Sequence, residues 1–338
     1  MLAGITGFDK HRLRRTETVV VTRDGRRFLE RRAENGEVTK EQVGEDCLPQ
    51  FLRDQEQGIS RLRPRRWSEA DREWKDVSAS CDKDHVAMKG DATLRFVTYN
   101  VWFAEQAWQE RALALFREVQ SRDPHVVCLQ EVTPRFLELL LKQTWVREHY
   151  FVSDSTGVTV VPYGVLMLSK WPMQELWLQS LPTAMGRRAL FADLAAPLPS
   201  ASQKLIRVAT VHLESMASRD VRKQQLGIIF PSLEAVDASA EGSWFMGDFN
   251  FGAHTPENED NLSLSPSFVD VWPELRPEEE GHTMPEFDRI DRVLVRSALW
   301  RPVGIEMIGT EEISSLAGQK LRPSDHLGLY STFERTES

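Results

Sequence analysis

Apolar, strand-like segments bearing a polar side chain at or beside one end recur six times in this chain, and that recurrence limits what it can fold into. Asn100 follows FVTY, Glu131 follows VVCLQ, His212 lies in VATVHLE, Asp248 and Asn250 end WFMGDFN, Asp291 sits in RIDRVLV, and Asp325-His326 stand at the head of the last apolar segment. Side chains two apart on a strand share a face, so Asp248 and Asn250 aim at one point if the extended conformation persists. One such group is ordinary turn chemistry. Repetition on this scale implies that strand ends converge on one cleft, where open sheets place ligands.

The segments between them have helical spacing. Residues 105–122 repeat apolar side chains at Trp108, Ala112, Leu115, Phe116 and Val119; residues 133–142 begin with Thr133 as N-cap and Pro134 at the first helical position; residues 218–230 follow the His212 strand. Strands are expected at 94–100, 125–131, 163–169, 188–194, 205–214, 243–249, 289–295 and 326–333. They outnumber the helices and some are consecutive, which argues against a simple alternating parallel fold and for two packed sheets with outer helices.

The first ninety residues differ in kind. TETVVVTRDGRRFLERR places strand formers on both sides of Asp24-Gly25, a two-residue hairpin signal. Charged, weakly periodic sequence follows, so residues 1–90 are expected to form a hairpin-bearing region and linker ending near Gly90, a candidate module for an unidentified partner, with a catalytic domain over 91–338. The basic run at 61–66 is compatible with nuclear import, with a nucleic-acid contact or with a solvated charged surface.

Charge then restricts the partners. Residues 1–90 carry 19 Lys and Arg against 17 Asp and Glu, and the rest of the chain 23 against 34. An acidic domain does not grip nucleic acid by bulk electrostatics, so a phosphate-bearing substrate must be held locally, by a metal or a few arginines. No apolar run approaches the roughly 18 residues of a membrane span. The three cysteines form no CxxC spacing, against both a disulfide framework and a thiolate zinc site. An intracellular protein, nuclear or cytoplasmic, working without a membrane and as a monomer, is expected.

Glu131 and the aspartates, with amide oxygens and no cysteine cluster, make an oxygen-rich set suited to Mg²⁺ or Mn²⁺. Asn100 and Asn250 can hold a water or donate to phosphate oxygens without adding charge, and His212 and His326 can donate to a phosphoryl group. Together these residue types describe metal-assisted hydrolysis of a phosphate ester. Arg187 and Arg222 are candidate phosphate contacts. Plainer roles exist for each alone: a strand-ending turn for Asp248 and Asn250, a helix start for Glu131, a core position for His212, an ion pair for Asp291.

The ordered set TYNVWF, CLQEV, VHLES, GDFN, RIDRVLV and SDH resembles the endonuclease/exonuclease/phosphatase superfamily, over about residues 94–333. LQEVTP, the HLES followed by Arg222-x-x-Gln225-Leu226, TAMGRRAL and FVDVW are similar to its type 2 tyrosyl-DNA phosphodiesterase branch. The resemblance implies a four-layer α/β sandwich, two packed mixed β-sheets flanked by helices. It implies Glu131 as the main Mg²⁺ ligand, with Asn100 and Asp325 beside it. Asp248 would deprotonate the attacking water, Asn250 would place that water, and His326 paired with Asp291 would stabilise phosphoryl charge with help from His212. Arg187, Ser215, Arg222, Trp102, Phe251 and Leu327 would touch substrate. The implied substrate is a DNA 5′ end bearing a tyrosine or peptide adduct, as in repair of trapped topoisomerase; RNA, abasic DNA or a small phosphoester is the alternative. Three positions depart from the branch: Leu327 stands where Trp commonly follows Ser-Asp-His, Trp102 where animal members often carry Asp, and Phe251-Gly252 where Leu-Arg is usual.

Overall fold

A computed structural model describes residues 17–23, 26–32, 38–42, 57–77, 93–196, 204–236, 240–285, 287–314 and 320–336. The chain divides into two compact units, Met1–Gly58 and Ile59–Ser338.

In the first unit, β1 (Glu17–Arg23), β2 (Arg26–Arg32) and β3 (Val38–Gln42) form an antiparallel sheet. Arg23 pairs with Arg26 across Asp24-Gly25, the register a two-residue hairpin requires.

The second unit has two mixed sheets. Sheet I orders β17 (Trp300–Ile308), β20 (Gly328–Arg335), β7 (Thr93–Asn100), β8 (Val126–Val132), β10 (Gly164–Ser169), β9 (Phe151–Val152), β5 (Arg65–Ser68) and β6 (Glu73–Asp76). Sheet II orders β15 (Val269–Asp270), β16 (Asp291–Arg296), β14 (Ser243–Asp248), β13 (Lys204–His212), β12 (Arg188–Ala196), β11 (Met173–Ser180) and β4 (Ile59–Arg61). Among the described residues only β7 with β8 and β13 with β14 pair in parallel. A short ribbon, β18 (Ile313–Ser314) with β19 (Lys320–Leu321), lies apart from both.

The two-residue period of the strands builds the layers. Phe96, Cys128, Met167 and Phe333 of sheet I meet Leu190, Val208, Trp244, Met246 and Val293 of sheet II in one apolar cluster, with Phe96 stacked on Trp244 at 5.5 Å. The opposite face of sheet I, with Val97, Tyr99 and Leu129, is covered by α1 (Trp108–Arg122), α2 (Pro134–Leu141) and α3 (Thr144–His149). Thr133 caps α2 as its sequence predicts, Oγ1 accepting from Phe136 N. The outer face of sheet II, with Ala209, Val211 and Phe245, packs on Leu226, Ile229 and Phe230 of α4 (Arg219–Glu234). Two short helices, α5 (Pro256–Leu262) and α6 (Val271–Leu275), complete the fold. The layers run helix, sheet, sheet, helix, the four-layer sandwich the motifs imply.

The structure departs from the expected linker. Residues 59–76 contribute strands to both sheets: β4 pairs with β11, and β5 with β9. Three residues join β4 to β5, so this segment straps the sandwich at one edge, and Leu62 packs against the inter-sheet core. The basic run is engaged there. Arg61 pairs with Glu175, Arg65 with Asp76, and Arg66 lies over the Phe151 ring. Cys47, Cys81 and the stretch 78–92 lie outside the described residues.

Candidate active site

Strand periodicity carries the site residues to one mouth of the inter-sheet space. On β7 the inward positions run Phe96, Thr98, Asn100; on β13, Val208, Thr210, His212; on β14, Trp244, Met246, Asp248; on β16, Val295, Val293, Asp291. The inner levels are apolar. Above them Gln130 Nε2 donates to Thr98 Oγ1 of sheet I at 3.1 Å and to Thr210 Oγ1 of sheet II at 2.9 Å, a polar floor joining the sheets. The last level is the cluster itself. His212 pairs in register with Asp248, and Asp248 with Asp291.

Glu131 breaks the alternation, because it belongs by parity to the helix side of sheet I. Here β8 carries an extra residue: Gly164 pairs with Val132 but Leu166 with Leu129, and Glu131 adopts a left-handed φ of 60°. The bulge turns its carboxylate to the cleft, where Oε1 accepts from Asn100 Nδ2 at 3.2 Å and Oε2 from Phe103 N at 2.9 Å.

Asn100 is the hub. Its Oδ1 accepts from Trp102 N at 3.0 Å, and its Nδ2 also donates to Asp248 Oδ2 at 2.9 Å. His326 Nδ1 meets Asp291 Oδ2 at 2.8 Å and its Nε2 lies 3.8 Å from Asp248 Oδ2. His212 Nε2 approaches the same Asp248 oxygen at 3.4 Å, while its Nδ1 is 2.9 Å from Arg187 Nη1. Asn250 N donates to Asp248 Oδ1 at 2.9 Å, and Asn250 Nδ2 to Leu213 O at 3.0 Å. The Asp248-Asn250 pair is therefore both a strand-ending turn and part of the cluster.

Burial sets the protonation pattern. It pushes the Asp248 carboxyl up to about 7, Asp291 and Glu131 adding to the rise while His326 and Asn100 oppose it. Burial works against charge on His326, but Asp291, with Asp248 and Asp325 behind it, outweighs this and lifts His326 to about 10. His326 is thus an imidazolium between two aspartates. His212 is held well below its ordinary value by burial and then by Arg187, so it is neutral. Burial also raises Glu131 and Asp325.

The expected substrate contacts separate into two groups. Arg187 and Ser215 join the cluster, Arg187 Nη2 donating to Ser215 Oγ at 3.2 Å beside His212. Trp102 lies next to it at a left-handed φ of 57°, its ring under the Arg111 guanidinium. Leu327 is buried, its N donating to Thr283 O at 2.6 Å. Arg222 and Phe251 do not face the cleft. Arg222 grips both Glu257 oxygens at 2.7 Å and the carbonyls of Glu214 and Met216, which consumes its fork in tying α4 to α5. Phe251 is buried against Phe249 with Arg292 over its ring, in the outer cluster of sheet II. At Gly252 a β-carbon would sit 1.9 Å from Asp288 Oδ2, so this chain has filled with Asp288 the space a side chain would need.

Sequence reasoning passed over several residues that hold the site together. Thr283 Oγ1 accepts from the amides of Ile290 and Asp291 while its carbonyl accepts from Leu327, which links Asp291 to the residue after His326. Glu214 accepts from Thr183 Oγ1 and Ala184 N and shapes the loop that presents Arg187. A polar residue at a strand end is the only local signal, and of these only Glu214 carried it.

Among the described residues, Asp248, Asp291 and His326 form a group whose potential ligand atoms all lie within 4.8 Å of one another. His326, protonated, lies between the two acids of that group. Glu131, Asn100 and the partly buried Asp325 carboxyl add oxygen donors beside it, and the chemistry of this set fits a hard divalent ion.

The Endonuclease/Exonuclease/phosphatase family model matches residues 97–326. Among solved structures, D. rerio TDP2 complexed with single strand DNA product is 25% identical, covering 72% of this chain and 100% of that one at a TM-score of 0.61. Truncated Caenorhabditis elegans TDP2 is 20% identical, with 72% and 97% covered and a TM-score of 0.61. The human Nocturnin catalytic domain with bound sulfate anion is 19% identical, with 72% and 94% covered and a TM-score of 0.55, a likeness of fold. No curated protein gives a significant match. With a matched segment that runs from β7 to His326 and holds every residue of the cluster, the chain belongs to the endonuclease/exonuclease/phosphatase family.

Proposed function

We propose that this protein is a divalent-metal-dependent phosphodiesterase, using Mg²⁺ or Mn²⁺, that hydrolyses the bond between a DNA 5′-phosphate and a tyrosine or tyrosyl peptide. The convergence of Asn100, Glu131, Asp248, His212 and His326, each within 3.5 Å of another of them, carries the reading. The single-strand DNA in the D. rerio TDP2 structure supports DNA as the polymer.

Glu131, with Asn100 and Asp325 beside it, would hold the metal, which when bound neutralises charge on the phosphoryl oxygens. Asp248 is the general base. Asn100 Nδ2 and Asn250 N fix its two oxygens, and a carboxyl titrating near neutrality suits proton abstraction from water. The water oxygen bonds to phosphorus as its proton passes to Asp248. The phosphorus–phenol bond breaks, and the leaving phenolate takes a proton from solvent. The His326 cation and Arg187 oppose the charge that develops on the phosphoryl oxygens, and Asp291 keeps His326 protonated and aimed. A phenol of pKa about 10 leaves without a strong general acid, and no further acid is needed in this cluster. Repair of DNA ends inside the cell, by a monomer in the nucleus or cytoplasm, follows from the same reading, with Met1–Gly58 left as a module for another partner.

A 5′-tyrosyl oligonucleotide incubated with the protein and Mg²⁺ should yield a 5′-phosphate end, and EDTA should abolish the turnover. Preferential cleavage of an RNA, an abasic duplex or a small phosphoester in parallel reactions would instead assign the alternative substrate. An EDTA-insensitive rate would remove the metal from the mechanism.

A further inference from the structure

Arg111 is a basic residue in the first turn of α1, the end where a helix dipole disfavours cations, and it is 1% exposed. A buried guanidinium normally meets a carboxylate. The hydrogen bonds of Arg111 go to carbonyls instead: Nε to Gln106 O at 2.9 Å, Nη1 to Val101 O at 3.3 Å and Pro323 O at 3.2 Å, Nη2 to Trp102 O at 3.1 Å and Ala104 O at 2.8 Å. An arginine has five N–H donors, so the fork is saturated. Four of these carbonyls belong to the segment directly after Asn100; the fifth belongs to the segment that carries Asp325 and His326. The Trp102 ring lies beneath the guanidinium, 4.3 Å from Cζ. A second tie joins the same segments, Ser324 Oγ donating to Asn100 O at 2.7 Å.

We propose that Arg111 is a positioning residue that clamps the segment after Asn100 to the segment before Asp325-His326, so that Asn100 and His326 reach Asp248 from separate strand ends in one fixed geometry. Its consequence for turnover rests on the function proposed above; the clamp itself does not. Lysine cannot reproduce it, because an ammonium brings three N–H donors to five carbonyls and lacks the planar fork.

Hydrogen exchange followed by mass spectrometry tests the clamp directly. In the unaltered protein residues 101–106 and 322–327 should open together, with matching protection and a matching response to denaturant. In R111K both segments should exchange at least about tenfold faster while β14 stays protected. Mn²⁺ titrated by EPR should bind R111K about tenfold more weakly, and kcat on the 5′-tyrosyl oligonucleotide should fall about 100-fold, the scale of a misplaced reacting group, with KM changed far less. Arg301→Lys, on the exposed edge of β17, should match wild type in every assay. Guanidinium chloride at millimolar concentration should restore turnover to R111A. Independent opening of the two segments in the unaltered protein, or wild-type exchange at 322–327 in R111K, overturns the clamp. Failure of the wild-type protein to cleave any phosphodiester overturns the function and leaves the exchange result to decide the clamp.

Discussion

Two buried charge clusters lie a few residues apart on sheet II and are built on opposite principles. In the first, Asp270 receives Arg289 Nη1 at 2.8 Å and Arg292 Nη1 at 3.0 Å, so two cations share one acid and fasten β15 to β16. In the second, Asp248, Asp291 and Glu131 gather around a single protonated histidine. The first cluster sets one acid against two cations. The second has more acids than cations, an excess that a metal ion would offset under the function proposed above. The sign of the excess charge thus distinguishes the two clusters, cationic around Asp270 and anionic around Asp248.

Breaking the two clusters should have opposite consequences. The largest effect expected is on catalysis: Asp248→Asn and His326→Ala should each lower kcat/KM by about 10²–10⁴ on the 5′-tyrosyl oligonucleotide. Asp248→Asn should at the same time match or exceed the wild-type melting temperature, since it removes a carboxylate from an acid-rich site. Loss of both activity and stability in that variant would place Asp248 in the structural class. Asp270→Ala should do the reverse, costing about 3–5 kcal/mol in chemical denaturation because two buried guanidinium groups lose their partner.

A comparison of truncated chains extends the same logic to the edge strap. A chain starting at residue 59 should keep the melting transition of the second unit, whereas one starting at residue 91 loses β4, β5 and β6 and should melt at clearly lower temperature. Equal melting of the two would make the strap dispensable. The smallest effect concerns a third kind of buried acid. Asp154 is opposed by burial but held below its ordinary value by hydrogen bonds from Thr159 and Thr156. A depressed folded-state pKa contributes stability above the unfolded value of about 3.9 and loses it as pH falls through the folded one. The destabilisation by Asp154→Asn should therefore be full at neutral pH and shrink in acid, as a pH series of melting curves would show.

Much of the site was legible because a strand repeats every two residues. Once the apolar positions of WFMGDFN and VATVHLE are assigned to the interior, Asp248 and His212 must emerge at the same mouth. Glu131 emerged there for a reason that alternation hides, a bulge whose extra residue reverses its face. Arg222 and Arg111 show the limit more plainly. Each is an arginine near the start of a helix, and each buries its fork, one on Glu257 and the other on carbonyls of two loops beside the cluster.

By itself the order of apolar and polar residues determined the two-sheet sandwich, the Thr133 cap and the meeting of six strand ends, because these depend on local periods and short spacings. The partners of the arginines, the enrolment of residues 59–76 in both sheets and the filling of the space beside Gly252 by Asp288 were decided only in the tertiary structure. Those features join residues distant in sequence through directional hydrogen bonds and contact at van der Waals range, and no local pattern encodes which of many equivalent charges will be the one in reach.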